Sequence, residues 1–213
     1  MFALSLAFLT TPLAPLPLWA LVALVAVVGY VVGAIPTAYV IAKAVKNIDI
    51  RQHGSGNVGG TNVWRTCGKW WGWLTYLLDC LKGYFPVAIV LAVAPPHLAW
   101  LALVMAFAVL VGHSKSVFLG FAGGKASISG LGTILAFSPL GGLLGGVLAF
   151  TLIGITRMVS VASIVAALVT WALVWLAGGS LMAILYTAVA GLYVIIRHKS
   201  NIVRLMQGTE NKV

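Results

Sequence analysis

The chain has 213 residues, 62% hydrophobic and 8% charged, with a mean hydropathy of +1.08. A soluble domain carries about 25% charged residues, and so few charges cannot cover a soluble core of this length. Disorder, collagen and a disulfide scaffold fail on the same composition. An all-α integral membrane protein of one domain, residues 1–213, remains, with room for roughly five to seven spans of about 20 apolar residues each.

A proline-marked tail (1–17) lacks the basic start of a cleaved signal peptide, so it is read as retained. The first apolar run is Leu18–Ala42, followed by a polar stretch, Lys43–Lys69, with five of the basic residues. Trp70–Ala94 is the second run, interrupted by Asp79 and Lys82, and Pro95-Pro96 turns the chain into Leu98–Gly112. A glycine-rich basic segment, 113–127, precedes Ile128–Phe137, a Ser138-Pro139 break and Leu140–Thr156. Met158–Ala177 and Leu181–Ile196 are the last runs, and the tail 197–213 is basic.

Sidedness follows from the thirteen Lys and Arg, set against three acids, Asp49, Asp79 and Glu210. In a soluble protein a pI near 10.0 would suggest nucleic acid; in a membrane protein it reads first as the positive-inside bias, and no nucleic-acid partner is expected. Breaking 128–156 at Ser138-Pro139 gives seven transmembrane helices and puts twelve of the thirteen basic residues on one side. The N-terminus is then outside, with the 1–17 tail extracytoplasmic, and the 197–213 tail is cytoplasmic. The short helix, about 127–137, is only about 15 Å long, so its ends must be buried in protein or meet water.

Polar residues without a topological reason are the candidate site. In the run Gly54-Ser55-Gly56-Asn57-Val58-Gly59-Gly60-Thr61-Asn62, four glycines let N–H groups converge on an anion, and Arg65 adds a fork for phosphate oxygens. Thr61 or Asn62 is expected to cap a helix starting near Val63; a flexible polar loop is the alternative. A second cluster joins His113 to Gly123, Gly124 and Lys125, where backbone and a point charge can approach a ligand; a basic turn is its alternative. Asp79 and Lys82 share a helix face, as a functional pair or an ion pair bracing the bundle. Ser160 and Ser163 share another, as ligands or packing contacts. His198 and Asn201 share a third, flanked by Arg197 and Arg204, with a solvated basic tail as the alternative.

Several chemistries are missing. Cys67 and Cys80 make no metal spacing, the His and acids are scattered, and no metal or cofactor is expected. No G-x-S-x-G elbow is present, nor a His followed five residues later by Asp. With few candidate bases, any reaction needs an already activated substrate.

Together these blocks resemble the bacterial acyl-phosphate:glycerol-3-phosphate acyltransferase family, small inner-membrane enzymes that begin phospholipid synthesis. The matching text is GSGNVGGTNVWRTCGKWWG (54–72), LLDCLKGYFPV (77–87), GH (112–113), VFLGFAGGKASISGLG (117–132), VSVASI (159–164) and RHKSNIVRLMQGTENK (197–212). The resemblance implies seven spans and a cytoplasmic site that moves a fatty acyl group from acyl phosphate to the 1-hydroxyl of glycerol 3-phosphate. Ser55, Lys125, His198 and Asn201 would be catalytic. Gly54, Asn57, Thr61, Asn62, Arg65, Gly123, Gly124 and Ser163 would bind substrate, with Asp79, Lys82, His113 and Ser160 supporting. Membrane lipids are neighbours, and a soluble enzyme supplying acyl phosphate is an implied partner. The chain departs from the family pattern at Lys115-Ser116, where an aromatic-Pro pair is usual, and at Ala122 and Ala126, where KGGKG is usual; Gly60 stands for Ala. The missing Lys at 122 is expected to remove one charge from the anion site. A small anion transporter and a catalytically silent lipid-binding paralogue are the other readings.

Overall fold

The computed structural model describes residues 16–213, so the N-terminal tail, apart from Leu16 and Pro17, lies outside the described residues. Ten α-helices follow in order: α1 Leu18–Ala34, α2 Thr37–Lys46, α3 Gly60–Cys67, α4 Lys69–Val93, α5 Leu101–Ser114, α6 Ser127–Phe137, α7 Pro139–Thr156, α8 Val159–Leu176, α9 Leu181–Arg197 and α10 Lys199–Met206. Among the described residues the one β feature is an isolated bridge between Ser116 and Ala122.

Among the described residues, five segments are long and apolar enough to cross a membrane: Leu18–Lys46, Lys69–Val93, Pro96–Ser114, Pro139–Thr156 and Val159–Leu176. The α9–α10 pair, bent by 61°, makes a sixth if counted as one span, and Ser127–Phe137 is apolar but short. The break between α6 and α7 falls where the sequence places it, at an extended Ser138 followed by Pro139 in the first turn of α7, a position that tolerates the missing N–H. Two breaks differ from the sequence reading. The run Leu18–Ala42 is interrupted at Ile35-Pro36 because proline brings no N–H to continue α1. The C-terminal tail is not simply solvated: it forms α10 and then folds back over the protein.

The principal helix neighbours are α1 with α5, α4 with α6, α7 with α8, and α8 with α9. In a bilayer these contacts come from close backbone packing rather than from expulsion of water, which favours small residues. Gly33 lies against the Val109 backbone and Gly112 against the Tyr30 carbonyl, so α1 and α5 touch at both levels. Gly83 faces the Ser129 carbonyl and Gly132 the Cys80 carbonyl, fixing α6 on α4 in the same way.

The charges inside α4 are paired. Asp79, 2% exposed, accepts hydrogen bonds from Thr37 Oγ1 and, at 2.8 Å, from Lys82 Nζ. Lys82 also donates to the Ile35 carbonyl at 2.8 Å. The pair therefore staples α4 to the α1–α2 break, and the pairing offsets the high cost of a lone charge at this depth. His113 stands beside it, with Nδ1 3.1 Å from Ser129 Oγ and 3.8 Å from Asp79 Oδ1.

Candidate active site

The glycine-rich loop before α3 is held from within. Gly54 and Gly56 adopt φ of +58° and +69°, where a side chain is unfavourable. Asn62 is fully buried; its Nδ2 donates to the carbonyls of Ile50, His53 and Asn57 at 2.9–3.1 Å. Its Oδ1 accepts from the Ser55 N–H at 3.0 Å. That saturated amide shapes the loop and has no group left for a substrate. The N-cap of α3 is Gly59 and carries no side-chain cap, so the expected cap from Thr61 or Asn62 is corrected: both lie inside the helix. Thr61 Oγ1 instead pairs with Tyr76 OH at 2.7 Å.

The second loop hangs from the end of α5. The Gly124 N–H donates to the His113 carbonyl at 3.0 Å. A Cβ on Gly123 would strike the backbone of His113 and Ser114, and one on Gly124 the His113 ring. These glycines let the loop lie flat on α5, which aims Lys125 inward. Arg197 Nη2 braces the same loop through the carbonyls of Gly124 and Ser114, at 3.2 and 3.4 Å. Burial, and next the charge of Arg204, push the Lys125 ammonium down to about 8.

Three of the departures from the family pattern acquire physical content here. Ser116 donates from Oγ to the Ala34 carbonyl at 2.6 Å and from its N–H to the Ala122 carbonyl at 3.1 Å, two bonds a proline lacks. Ala122 packs beside the small apolar cluster around Ile50 and Val63 and is absent from the cavity lining. With alanine at 122, the cations on the cavity lining are Arg65, Lys125 and Arg204. Ala126 has φ +62°, a left-handed conformation that costs an L-residue roughly 1–2 kcal/mol. Ala126→Gly is therefore expected to raise stability by about 1 kcal/mol, read as a higher unfolding temperature in detergent; an unchanged or lower value would mean the turn relaxes.

The third group sits at the α9–α10 bend. His198, 3% exposed, donates from Nδ1 to the Val194 carbonyl at 2.7 Å, which leaves Nε2 as a free acceptor on the cavity. Lys125 Nζ donates to Asn201 Oδ1. Asn201 Nδ2 donates to Glu210 Oε1 at 2.6 Å, and Arg204 Nε to Glu210 Oε2 at 2.8 Å. The final residues complete the rim: Arg65 Nη2 donates to the Asn211 and Lys212 carbonyls, both at 3.3 Å, and the Val213 N–H to the Arg157 carbonyl at 2.8 Å.

These groups surround one cavity of ≈ 340 Å³. Of the residues singled out from sequence, Ser55, Asn57, Thr61, Arg65, Asp79, His113, Gly123, Lys125, Ser160, Ser163, His198 and Asn201 line it. Gly54, Asn62, Gly124 and Lys82 do not; the first three build the loops behind it and Lys82 faces the α1–α2 break. Ser160 Oγ is buried there, close to the Glu210 carboxylate. Arg204, noted from sequence as a flank of His198 and Asn201, also lines the cavity, while sequence reasoning missed Tyr76, Ser200, Glu210 and Asn211. For Glu210 a signal existed: it is the lone acid in a basic tail. From the polar end the cavity continues between α6, α7, α8 and α9 past Leu131, Ala149, Ala166 and Gly191 to Thr170 and Thr187. It offers cations and neutral donors at one end and an apolar sleeve at the other.

Residues 23–208 match the model of the family described as glycerol-3-phosphate acyltransferase. The chain is 43% identical to the glycerol-3-phosphate acyltransferase of Rippkaea orientalis over 92% of its own length and 94% of that protein's. It is 36% identical to the one from Acholeplasma laidlawii, with the same coverage. Among solved structures it resembles PlsY (YgiH), an integral membrane glycerol 3-phosphate acyltransferase, in its glycerol 3-phosphate form, with a TM-score of 0.83, 35% identity and coverage of 90% of this chain and 95% of that one. The lysophosphatidic acid form of PlsY aligns at a TM-score of 0.81 and 34% identity, with coverage of 90% and 94%.

Proposed function

The chain belongs to the glycerol-3-phosphate acyltransferase family, and from that premise we propose that it transfers a fatty acyl group from acyl phosphate to the 1-hydroxyl of glycerol 3-phosphate. The product is 1-acylglycerol 3-phosphate, and inorganic phosphate leaves. The observation that carries the reading is the two-ended cavity: Arg65, Lys125 and Arg204 at one end suit phosphates, and the sleeve beyond suits an acyl chain. The glycerol 3-phosphate and lysophosphatidic acid of the two PlsY forms are the substrate and product such a cavity would hold.

The reaction forms a bond between the glycerol oxygen and the acyl carbon and breaks the bond from that carbon to the phosphate oxygen. The hydroxyl proton goes to a phosphate oxygen. A mixed anhydride already carries a good leaving group, so orientation and charge stabilisation suffice. Lys125 and Arg65 hold phosphate oxygens, as a point charge and a fork. Gly123 with Ser55, Asn57, Thr61 and Ser163 supply donors around them. Asn201 orients the reacting carbonyl or hydroxyl, and the free Nε2 of His198 accepts a glycerol hydroxyl.

The protein works in a bacterial cytoplasmic membrane with this polar end on the cytoplasmic side, and α6 completes a set of seven crossings. Charge supports that placement, because the segments 43–69, 113–127 and 197–213 and Arg157 carry twelve of the thirteen basic residues. In a variant without Cys67 and Cys80, cysteine placed at Asn211 should label from the cytoplasm only; labelling from outside rejects the seven-crossing count. A soluble acyl-phosphate-forming enzyme on the same side would supply the donor.

Purified protein given acyl phosphate and labelled glycerol 3-phosphate should release 1-acylglycerol 3-phosphate and phosphate in equal amounts. Folded protein that forms no product but moves glycerol 3-phosphate across vesicles would establish the transporter instead. Protein that binds product without turnover would be the silent paralogue.

A further inference from the structure

We infer that the sleeve formed by α6, α7, α8 and α9 is a closed-ended ruler that sets the longest acyl chain the enzyme uses, with Thr170 and Thr187 marking its floor. The inference rests on the reading of this cavity as the acyl-transfer site. The four helices form a ring in which α6 packs on α7, α7 on α8, α8 on α9 and α9 on α6. Along α8, Ser163, Ala166, Ala167 and Thr170 line the cavity at helical spacing. From Ser160, beside the polar groups, to Thr170 is ten residues, or about 15 Å of depth.

The far end is shut by two contacts. On one side α7 and α8 meet without a gap: a Cβ on Gly145 would come 2.6 Å from Thr170 Cγ2, and one on Gly141 2.7 Å from Val174 Cα. On the other, Thr133 Oγ1 and Tyr186 OH are hydrogen-bonded at 2.6 Å, which bolts α6 to α9. Tyr186 is 2% exposed and is wedged between Phe107 and Phe137, with ring centroids 5.0 and 4.8 Å away. Neither Val174 nor Tyr186 reaches the cavity. The polar hydroxyls at the floor are already used: Thr170 donates to the Ala166 carbonyl and Thr187 to the Ala183 carbonyl, at 2.6 and 2.7 Å. A chain terminus therefore meets methyl groups and glycine, backed by packed aromatics, and an extra methylene must displace that packing.

The test is a ladder of saturated acyl phosphates of increasing length, read as kcat/KM for wild type, Thr170→Leu and Ala166→Leu. Thr170→Leu should cut the longest used donor by at least about ten-fold, since one methylene more or less in an apolar pocket is worth roughly ten-fold or more. It should leave the shortest donors and the KM for glycerol 3-phosphate unchanged. Ala166→Leu, one turn nearer the polar end, should move the cut-off to shorter chains by about 5 Å of acyl length. Ala149→Leu, at the same level on α7, replaces either variant that fails to fold. An unchanged length profile, or a uniform loss at every length in folded protein, overturns the ruler. If wild type uses no acyl phosphate at all, the donor reading fails; the ladder is then read as thermal stabilisation by 1-acylglycerol 3-phosphates, where a wild-type cut-off unmoved by the variants overturns the ruler separately.

Discussion

Lys125→Ala should lower kcat/KM for acyl transfer by about a hundred-fold or more, which is about 2.7 kcal/mol of transition-state stabilisation. The side chain is a largely buried cation with Asn201, Glu210, Arg204 and Arg65 of the cavity rim around it, and Arg197 behind. A charge contact with phosphate in such a site is stronger than one in water. Arg65→Ala should cost less, about ten-fold, because its guanidinium is shared with the Asn211 and Lys212 carbonyls. The pH dependence has a definite sign. Lys125 carries its charge below about 8 and loses it above, so kcat/KM, which reports the free enzyme, should fall as pH rises through about 8. Bound phosphate favours the ammonium, so the fall in kcat should come at higher pH. Lys125→Arg should move the alkaline fall upward; a profile identical to wild type would mean that another group titrates. Near-normal rates in both folded alanine variants would put the site elsewhere.

The sequence makes the membrane class and the site's chemistry legible for different reasons. Composition and run length reveal apolar helices, and Ser138-Pro139 marks a real break because a proline there both ends one helix and opens the next. Pro36 carries the same signal, but it lies inside an otherwise unbroken apolar run, where hydropathy alone reads one span. The loops show the opposite limit. Which polar residues gather near the glycine-rich loops is visible from spacing. Which of them face the ligand is decided by hydrogen bonds between distant segments. Asn62 reads as a donor to substrate and turns out to be consumed by Ile50, His53, Asn57 and Ser55. Ala122 reads as a lost cation, and the fold places its methyl beside the apolar cluster around Ile50. Ala126 is the reverse case: the consequence of replacing glycine depends on φ, which only the fold reveals. The rim made by the last residues has no periodicity to announce it, since it is held by Arg65, Arg204 and Arg157 from three separate parts of the chain.

Glu210→Ala should therefore damage both stability and turnover, although no reacting group is removed. The carboxylate accepts from Asn201 Nδ2 and Arg204 Nε, and its side chain is 5% exposed. Its loss leaves the Asn201 amide, on a residue 5% exposed, without its acceptor, at a cost of about 1–3 kcal/mol. It also leaves Arg204, Lys125 and Arg65 around the cavity with their one nearby acid gone, and the tail that Arg65 holds loses an anchor. The unfolding temperature in detergent should drop, chiefly through that unmet amide, because Arg204 keeps a third of its side chain exposed and can be resolvated. At a temperature where the variant is folded, kcat should still fall by about ten-fold, because Asn201 is free to turn its amide away from Lys125. Glu210→Gln separates the two effects. It keeps an acceptor for one partner, so stability should be largely restored, while the added NH₂ competes with Asn201 for position and kcat stays low. If Glu210→Gln restores rate and stability together, Glu210 is only a brace for the tail; if Glu210→Ala changes neither, the rim is not fastened as the hydrogen bonds indicate.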